Sequence, residues 1–355
     1  MSKYIVKLIP TGRFFFGGDM TFEVSGQAKH NEKFSSYIIR SLKFPQQTSL
    51  LGMLRFLLLS NDQDVFESDK IKDTGKAEAL IGKKSFTINK PNHEANKFGK
   101  IQSVGTCCLC KGNEYYYQAP FDYDWTVKVF ESVEATLNGK PIRIPAITVE
   151  GEEYTSKKGI HKCYLSKQGH VLEDETVFLE DSRIGIRKGE NGKTEEEAFY
   201  KQIGYRLKDD CCFAFNVEID DLDLTKYTKQ LVSVGADSSM FIIQIEKGSF
   251  DLDLPSSYQV KNKDWEKVVL LADTYLPETD MVEYAISETK PFRFIKTTVD
   301  NKNYHIMYGL QNKSRSDRYN LFAAGSVFLV KDAKAFKDII KSKEEFLQIG
   351  YNHCK

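Results

Sequence analysis

The sequence predicts an α+β fold made of two βαββαβ units, and three observations carry that expectation. The strand-like opening "YIVKLI" (residues 4–9) runs through a glycine-rich loop into a leucine-faced helix. A β-α-β order is regained by residue 247, and a similar pattern restarts from Lys263. The 355 residues suffice for two domains of ordinary size. With 41% hydrophobic and 12% aromatic residues they also supply packed cores, which argues against disorder.

Each element has its own justification. After "YIVKLI", the stretch "PTGRFFFGGDMTF" reads as a loop around Gly12, Gly17 and Gly18. In "FPQQTSLLGMLRFLLLS", Pro45 stands just ahead and Thr48 is the expected N-cap. Leu50, Leu51, Leu54, Leu57 and Leu58 make one apolar face. Residues 61–176 carry only short strand signals ("KSFTI", "EYYYQAP", "WTVKVF") and no helix able to close a core, so they read as an insertion. Residues 177–208 read as a hairpin. "CCFAFNVEI" is then a strand, "DLTKYTKQLVS" a short helix and "SMFIIQIE" a strand. That is the order of a ferredoxin-like (RRM-like) domain over residues 1–248. Over 249–355, "WEKVVLLADTYL", "FRFIKTTV", "YHIMYGL" and "GSVFLV" read as strands and "AKAFKDIIKSKEEFL" as an amphipathic helix. The expectation is therefore two ferredoxin-like domains, the first with a large insertion and a protruding β-hairpin.

Composition narrows the function. No apolar run approaches membrane-spanning length, and the N-terminus lacks the pattern of a signal peptide, so a cytoplasmic protein without membrane contact is expected. Seven cysteines, odd in number and partly adjacent, do not form a secreted disulfide framework, and "TCCLCKG" has no second pair to complete a zinc site. No Walker loop, dinucleotide fingerprint or nucleophile elbow is present, so no catalytic residue, metal or cofactor is assigned. Of the six histidines, only His305 falls on an expected strand. Net charge is zero but unevenly spread. Residues 1–60 hold eight basic and three acidic side chains, whereas residues 209–223 hold six acidic and no Lys or Arg. The basic part suits an anion and the acidic part a protein partner.

Five glycine-containing loops, "TGRFFFGGD", "QQTSLLG", "RIGIRKGENG", "SVGADSSMF" and "AAGSVF", and the glycine-free loop "NKSRSDRYN" lie beside basic or aromatic residues. Glycine admits close backbone approach to phosphate, while arginine and aromatic rings supply charge and base stacking. The third loop, with two arginines and two lysines near a glycine-rich tip, reads either as an exposed turn with solvated charges or as a finger for a polyanion.

Three stretches, "GRFFFGGDMTF" with "PQQTSLLGMLRFLLL", "DSRIGIRKGENGKTEEEAFYKQIGYRL", and "SVGADSSMFIIQIE" with "AAGSVFLV", resemble the RAMP superfamily of CRISPR proteins. They are most similar to the type III-B (Cmr) subunit at the 5′ end of the crRNA. The resemblance places a thumb hairpin on Arg183, Ile186, Arg187, Lys193, Ala198 and Tyr200, and a helix-start motif on Thr48, Gly52 and Arg55. It implies no nuclease activity, capture of the crRNA 5′ tag, and contact with the large polymerase-like subunit and the backbone subunit of the Cmr complex. Target RNA would be met only indirectly. The expected RNA contacts are Arg13, Arg40, Gln47, Thr48, Arg55, Arg183, Arg187, Lys188, Lys193 and Tyr200, with Arg315, Arg318 and Tyr319 behind them. Two alternatives stand beside this: a RAMP endonuclease using His305, and a structural interaction subunit without RNA contact. "GSVFLV" and "QIGY" are thin beside the glycine-rich loop that RAMP proteins often carry near the C-terminus, which counts against the endonuclease.

Overall fold

The computed structural model describes residues 1–18, 20–24, 35–68, 70–88, 97–123, 127–149, 152–153, 162–188, 194–235, 237, 239–256, 258, 265–296, 299 and 314–355. It is a sheet-rich mixed α/β structure. The strand Ser2–Pro10 lies at its centre: Tyr4, Val6 and Leu8 are fully buried on one face, and Ile5 on the other is buried as well. Antiparallel neighbours flank it, Cys211–Ile219 on one side and Met240–Lys247 on the other. Leu231–Ser233 closes the edge beyond Met240–Lys247, and Cys108–Lys111 pairs with the far side of Cys211–Ile219.

The segment 61–176, expected as an insertion, instead extends this sheet. Strands Glu114–Gln118, Cys163–Ser166 and Val171–Glu173 continue outward from Cys108–Lys111, and Ile101–Val104 pairs with Cys211–Ile219, for nine strands in all. Apolar "CLC" finds its partner in "CCFA", about a hundred residues away, a pairing that local pattern does not reveal. The segment also holds a helix, Thr74–Ile81, which Asp73 caps by accepting from the Lys76 N–H at 3.0 Å. Val127–Leu137 and Lys140–Val149 form a separate hairpin, turned at Asn138–Gly139, both with positive φ, and Phe66–Glu67 pairs with Lys70–Ile71 in another.

The helix Gln47–Ser60 packs Leu50, Leu51, Leu54, Leu57 and Leu58 onto the sheet. Its N-cap is Gln46 rather than Thr48, and no side chain caps it from nearby. The Gln47 N–H donates instead to the Tyr351 hydroxyl at 3.3 Å. The helix expected in "DLTKYTKQLVS" is a single 3-10 turn, Leu224–Tyr227, after which Lys229 takes a positive φ and the chain becomes a strand.

In residues 249–355 both helices, Ala333–Lys341 and Glu344–Leu347, follow the last strand, so the described residues there do not run in βαββαβ order. The single helix expected in "AKAFKDIIKSKEEFL" is broken at Ser342–Lys343. "YHIMYGL" lies outside the described residues. One core unites Tyr4, Leu8, Phe213 and Phe241 with Phe292, Phe346 and Tyr351, and so crosses the expected boundary at residue 248. A smaller core gathers Val268, Phe328, Phe336 and Ile340. No helix among the described residues is long and apolar enough to cross a membrane.

Candidate nucleic-acid interface

Phe178–Lys188 and Thr194–Leu207 form a long antiparallel hairpin, widened to four strands by Ser35–Arg40 and Met20–Val24. Its base is apolar: Phe178, Ile203, Tyr205 and Leu207 are buried. Farther out the protection ends, leaving Ile184 73% and Tyr200 45% exposed. The backbone of Phe14 pairs both ways with Tyr205, N–H to O at 2.8 and 3.1 Å, fixing the hairpin base to the first glycine loop.

Arg13 completes that joint. Its Nε donates to the Asp181 carbonyl at 3.2 Å and its Nη2 to Gln202 Oε1 at 2.8 Å, while Asp181 also holds Arg206. Burial and the nearby Arg183 charge push the pKa of Arg13 down, and Asp181 and Asp237 oppose them. Gly204 makes this possible, since a Cβ there would lie 2.6 Å from Arg13 Nε and 2.8 Å from the Phe14 oxygen. Gly204→Ala is therefore expected to pry the loop from the hairpin and destabilise the fold by about 1–3 kcal/mol. Thermal unfolding checks this, and an unchanged midpoint would contradict it. Arg40 ties the same hairpin from its other face, through Glu180 and the Tyr205 hydroxyl, both of which raise its pKa.

Register decides what the outer hairpin presents. Arg183 opposes Gln202 and Gly185 opposes Tyr200, so these share one face. A Cβ on Gly185 would meet the Tyr200 ring at 2.0 Å, so the phenol lies directly across the glycine with its other side open. Tyr37, aligned with Tyr200 on the parallel neighbour, shares that face. Arg183 is exposed and has no ion-pair partner among the described residues. Arg187 falls where the register shifts between Ile186 and Lys188, and Lys193 lies outside the described residues. The loop around Gly235 joins the same region: Gln202 donates to Asp237, and the Phe15 N–H donates to Ser239 Oγ at 2.8 Å.

Other sequence-selected residues lie elsewhere. Gln47 is buried and donates to the carbonyls of Gly105 at 2.7 Å and Ile349 at 2.8 Å. Arg55 is buried and donates to Ile81 O at 2.8 Å and Gly82 O at 3.1 Å. Thr48 is half-buried in the first helical turn beneath Tyr351. Arg315, Arg318 and Tyr319 belong to a separate ribbon beside Ile295. The acids of 209–223 are largely engaged within the chain, by Lys111, Lys3, the N-terminal amine and Lys100, while Asp223 caps the 3-10 turn. His305 lies outside the described residues. Sequence reasoning passed over Gln202, Gly204, Asp181 and Tyr37. The "KQIG" return inside the hairpin segment was the available signal for the first two.

A profile for the family described as CRISPR-associated protein (Cas_Cmr3) matches residues 6–355. The chain belongs to the Cas_Cmr3 family. A search among curated proteins finds no match. In fold, this Cas_Cmr3-family chain is similar to a chain in the cryo-EM structure of the type III-B Cmr-beta bound to cognate target RNA. That pair shares 14% identity and a TM-score of 0.50, over 99% of this chain and 96% of that one. A chain of the same assembly with target RNA and AMPPnP gives 13% identity and 0.48, over 98% and 94%. A chain of the Csm3–Csm4 subcomplex of the type III-A interference complex gives 11% and 0.34, over 93% of each chain.

Proposed function

We propose that this Cas_Cmr3-family chain is a non-catalytic, cytoplasmic, RNA-binding subunit of a type III-B CRISPR effector that caps the crRNA 5′ tag. In that role it joins the large polymerase-like subunit to the backbone subunit and meets target RNA only indirectly. The family assignment supports the assembly. The central strand order Met240–Lys247, Ser2–Pro10, Cys211–Ile219, Cys108–Lys111 supports a ferredoxin-like first domain, because it is the fourth-first-third-second order of βαββαβ.

One observation carries the RNA reading. The hairpin is fastened at its base by Arg13, Phe14 and Arg40, yet beyond that base it presents an uncommitted arginine and an open tyrosine ring. An ordinary solvated turn needs neither the anchoring nor the ring laid over Gly185. A polyanion with stacked bases uses both, since phosphate pairs with guanidinium and any base has a face for the phenol.

The test is binding of the full chain, co-expressed with the large subunit, to three RNAs: a guide with its 5′ tag, a guide with the tag scrambled, and an unprocessed repeat. Tag-dependent binding with all RNAs left intact is expected. Arg183→Ala/Arg187→Ala should weaken it and reduce the salt slope by about 1.4, roughly 0.7 per lost phosphate contact. Equal weak binding to all three would remove the capping role, and cutting of the repeat would favour the endonuclease.

A further inference from the structure

A second cationic surface lies away from the hairpin. Along 292–295, Phe292 and Phe294 are buried whereas Arg293 and Ile295 are exposed, the alternation of a half-buried strand, and Lys296, next in line and on the opposite face from Ile295, is exposed too. Ile295 pairs with Arg315 and Lys296 with Ser314. Ser316 is buried and locks the ribbon: its N–H donates to the Phe294 carbonyl at 2.9 Å, and its Oγ accepts from the Phe294 N–H at 3.0 Å. Phe292 then pairs with Tyr319, so the chain between Ser316 and Tyr319 bows outward with Asp317 and Arg318 exposed opposite Arg293. Tyr319 is half-buried, and its ring stacks on Phe294 at 6.3 Å between centroids.

Among the described residues none of Arg293, Lys296, Arg315 and Arg318 forms an ion pair, although Asp317 stands among them. Unpaired cations occur elsewhere on the surface, Lys334 and Lys341 among them, but here three arginines fall on one short ribbon. Lys84, exposed and next to Ser85, which donates to the Ile295 carbonyl at 2.9 Å, borders the same ribbon.

We propose that Arg293, Arg315 and Arg318 form a second polyanion-binding surface, which takes the phosphodiester backbone of single-stranded RNA. This rests on the RNA-binding reading above but uses a different part of the chain. The cations line a ribbon rather than a pocket, successive outward positions on a strand being about 6.6 Å apart. A track of that kind fits an extended backbone better than a single phosphate. All three are arginines, whose forked donors match phosphate oxygens. An acidic protein face is the competing occupant, and RNA binding unaltered in the ribbon variant would leave the ribbon to it.

The full chain would be titrated with a fluorescein-labelled single-stranded RNA across a salt series, as wild type and as three double variants. Arg293→Gln/Arg315→Gln alters the ribbon and Arg183→Ala/Arg187→Ala the hairpin. Lys334→Gln/Lys341→Gln removes exposed charge from the helix Ala333–Lys341 as a control. The ribbon variant should bind roughly tenfold more weakly, with a salt slope smaller by about 1.4. The control should change much less, and melting should confirm that all variants fold. If the hairpin variant weakens binding but the ribbon variant matches the control, this inference is overturned and the functional reading stands. Loss in the ribbon variant alone supports the second surface and removes the hairpin. Unaltered RNA binding in both removes the two together.

Discussion

Asp122→Ala is expected to destabilise the chain by about 3–5 kcal/mol, the size associated with breaking a buried ion pair from one side. The Asp122 carboxylate is 3% exposed and meets Lys267 Nζ, itself 12% exposed, at 2.6 Å. Its other oxygen accepts from the Tyr258 hydroxyl at 2.5 Å, and the Lys267 ammonium lies 5.1 Å from the Tyr258 ring centroid. Burial first, and the Asp122 charge second, push the Tyr258 pKa well up, so the phenol remains a donor at any ordinary pH. Removing the carboxylate takes the charge partner from a largely buried ammonium and the acceptor from the Tyr258 hydroxyl. Asn keeps the Tyr258 acceptor without the charge and should fall between. Urea denaturation of the three proteins checks the order. A Asp122→Ala midpoint equal to wild type would mean that the pair is hydrated and dispensable.

The second large effect is expected at Gly350. It has φ +86°, and a Cβ there would lie 2.0 Å from Gln47 Nε2 and 2.5 Å from the Gly105 carbonyl carbon. Gln47 is the joint between the first helix and the C-terminal segment. Its amide donates to Gly105 and Ile349, while its Oε1 accepts from the Cys107 N–H at 3.3 Å. Alanine at 350 must displace that amide, leaving buried carbonyls unmet at about 1–3 kcal/mol each, besides the strain of a left-handed residue. Gly350→Ala should cost about 4 kcal/mol and Gln47→Ala about 2. The double variant should cost less than their sum, because both changes break the same Gln47 hydrogen bonds and Gln47→Ala removes the amide from the clash, although the Gly105 backbone contact remains. Strict additivity in denaturant titrations would contradict this joint.

Elements built from local alternation were legible. "YIVKLI", "CCFAFNVEI" and "SMFIIQIE" are the three adjacent central strands, and the leucine-faced helix packs on them. What local pattern did not reveal was set at long range. Ile101–Val104 and Cys108–Lys111 join the central sheet by pairing with Cys211–Ile219, and the first helix is capped by Tyr351, three hundred residues distant, so Thr48 had no cap to supply. The Thr74–Ile81 helix did have local signals that were passed over, Asp73 ahead of it and Gly82 behind. In the candidate site, residue type alone could not tell an arginine that faces solvent from one that holds the fold. Arg183 is open, Arg13 and Arg40 fasten the hairpin, and Arg55 caps a turn in the interior. Neighbours separate these roles, and the neighbours come from folding.

The central claim, that the outer hairpin face holds guide RNA, is tested most directly by site of crosslinking. A tagged guide carrying 4-thiouridine at successive positions would be irradiated with the full chain and the crosslinked peptides identified by mass spectrometry. The account predicts adducts within the hairpin, centred on Tyr200, that diminish in Arg183→Ala/Arg187→Ala. Adducts confined to other surfaces, with the hairpin peptides unmodified at saturating guide, would contradict it.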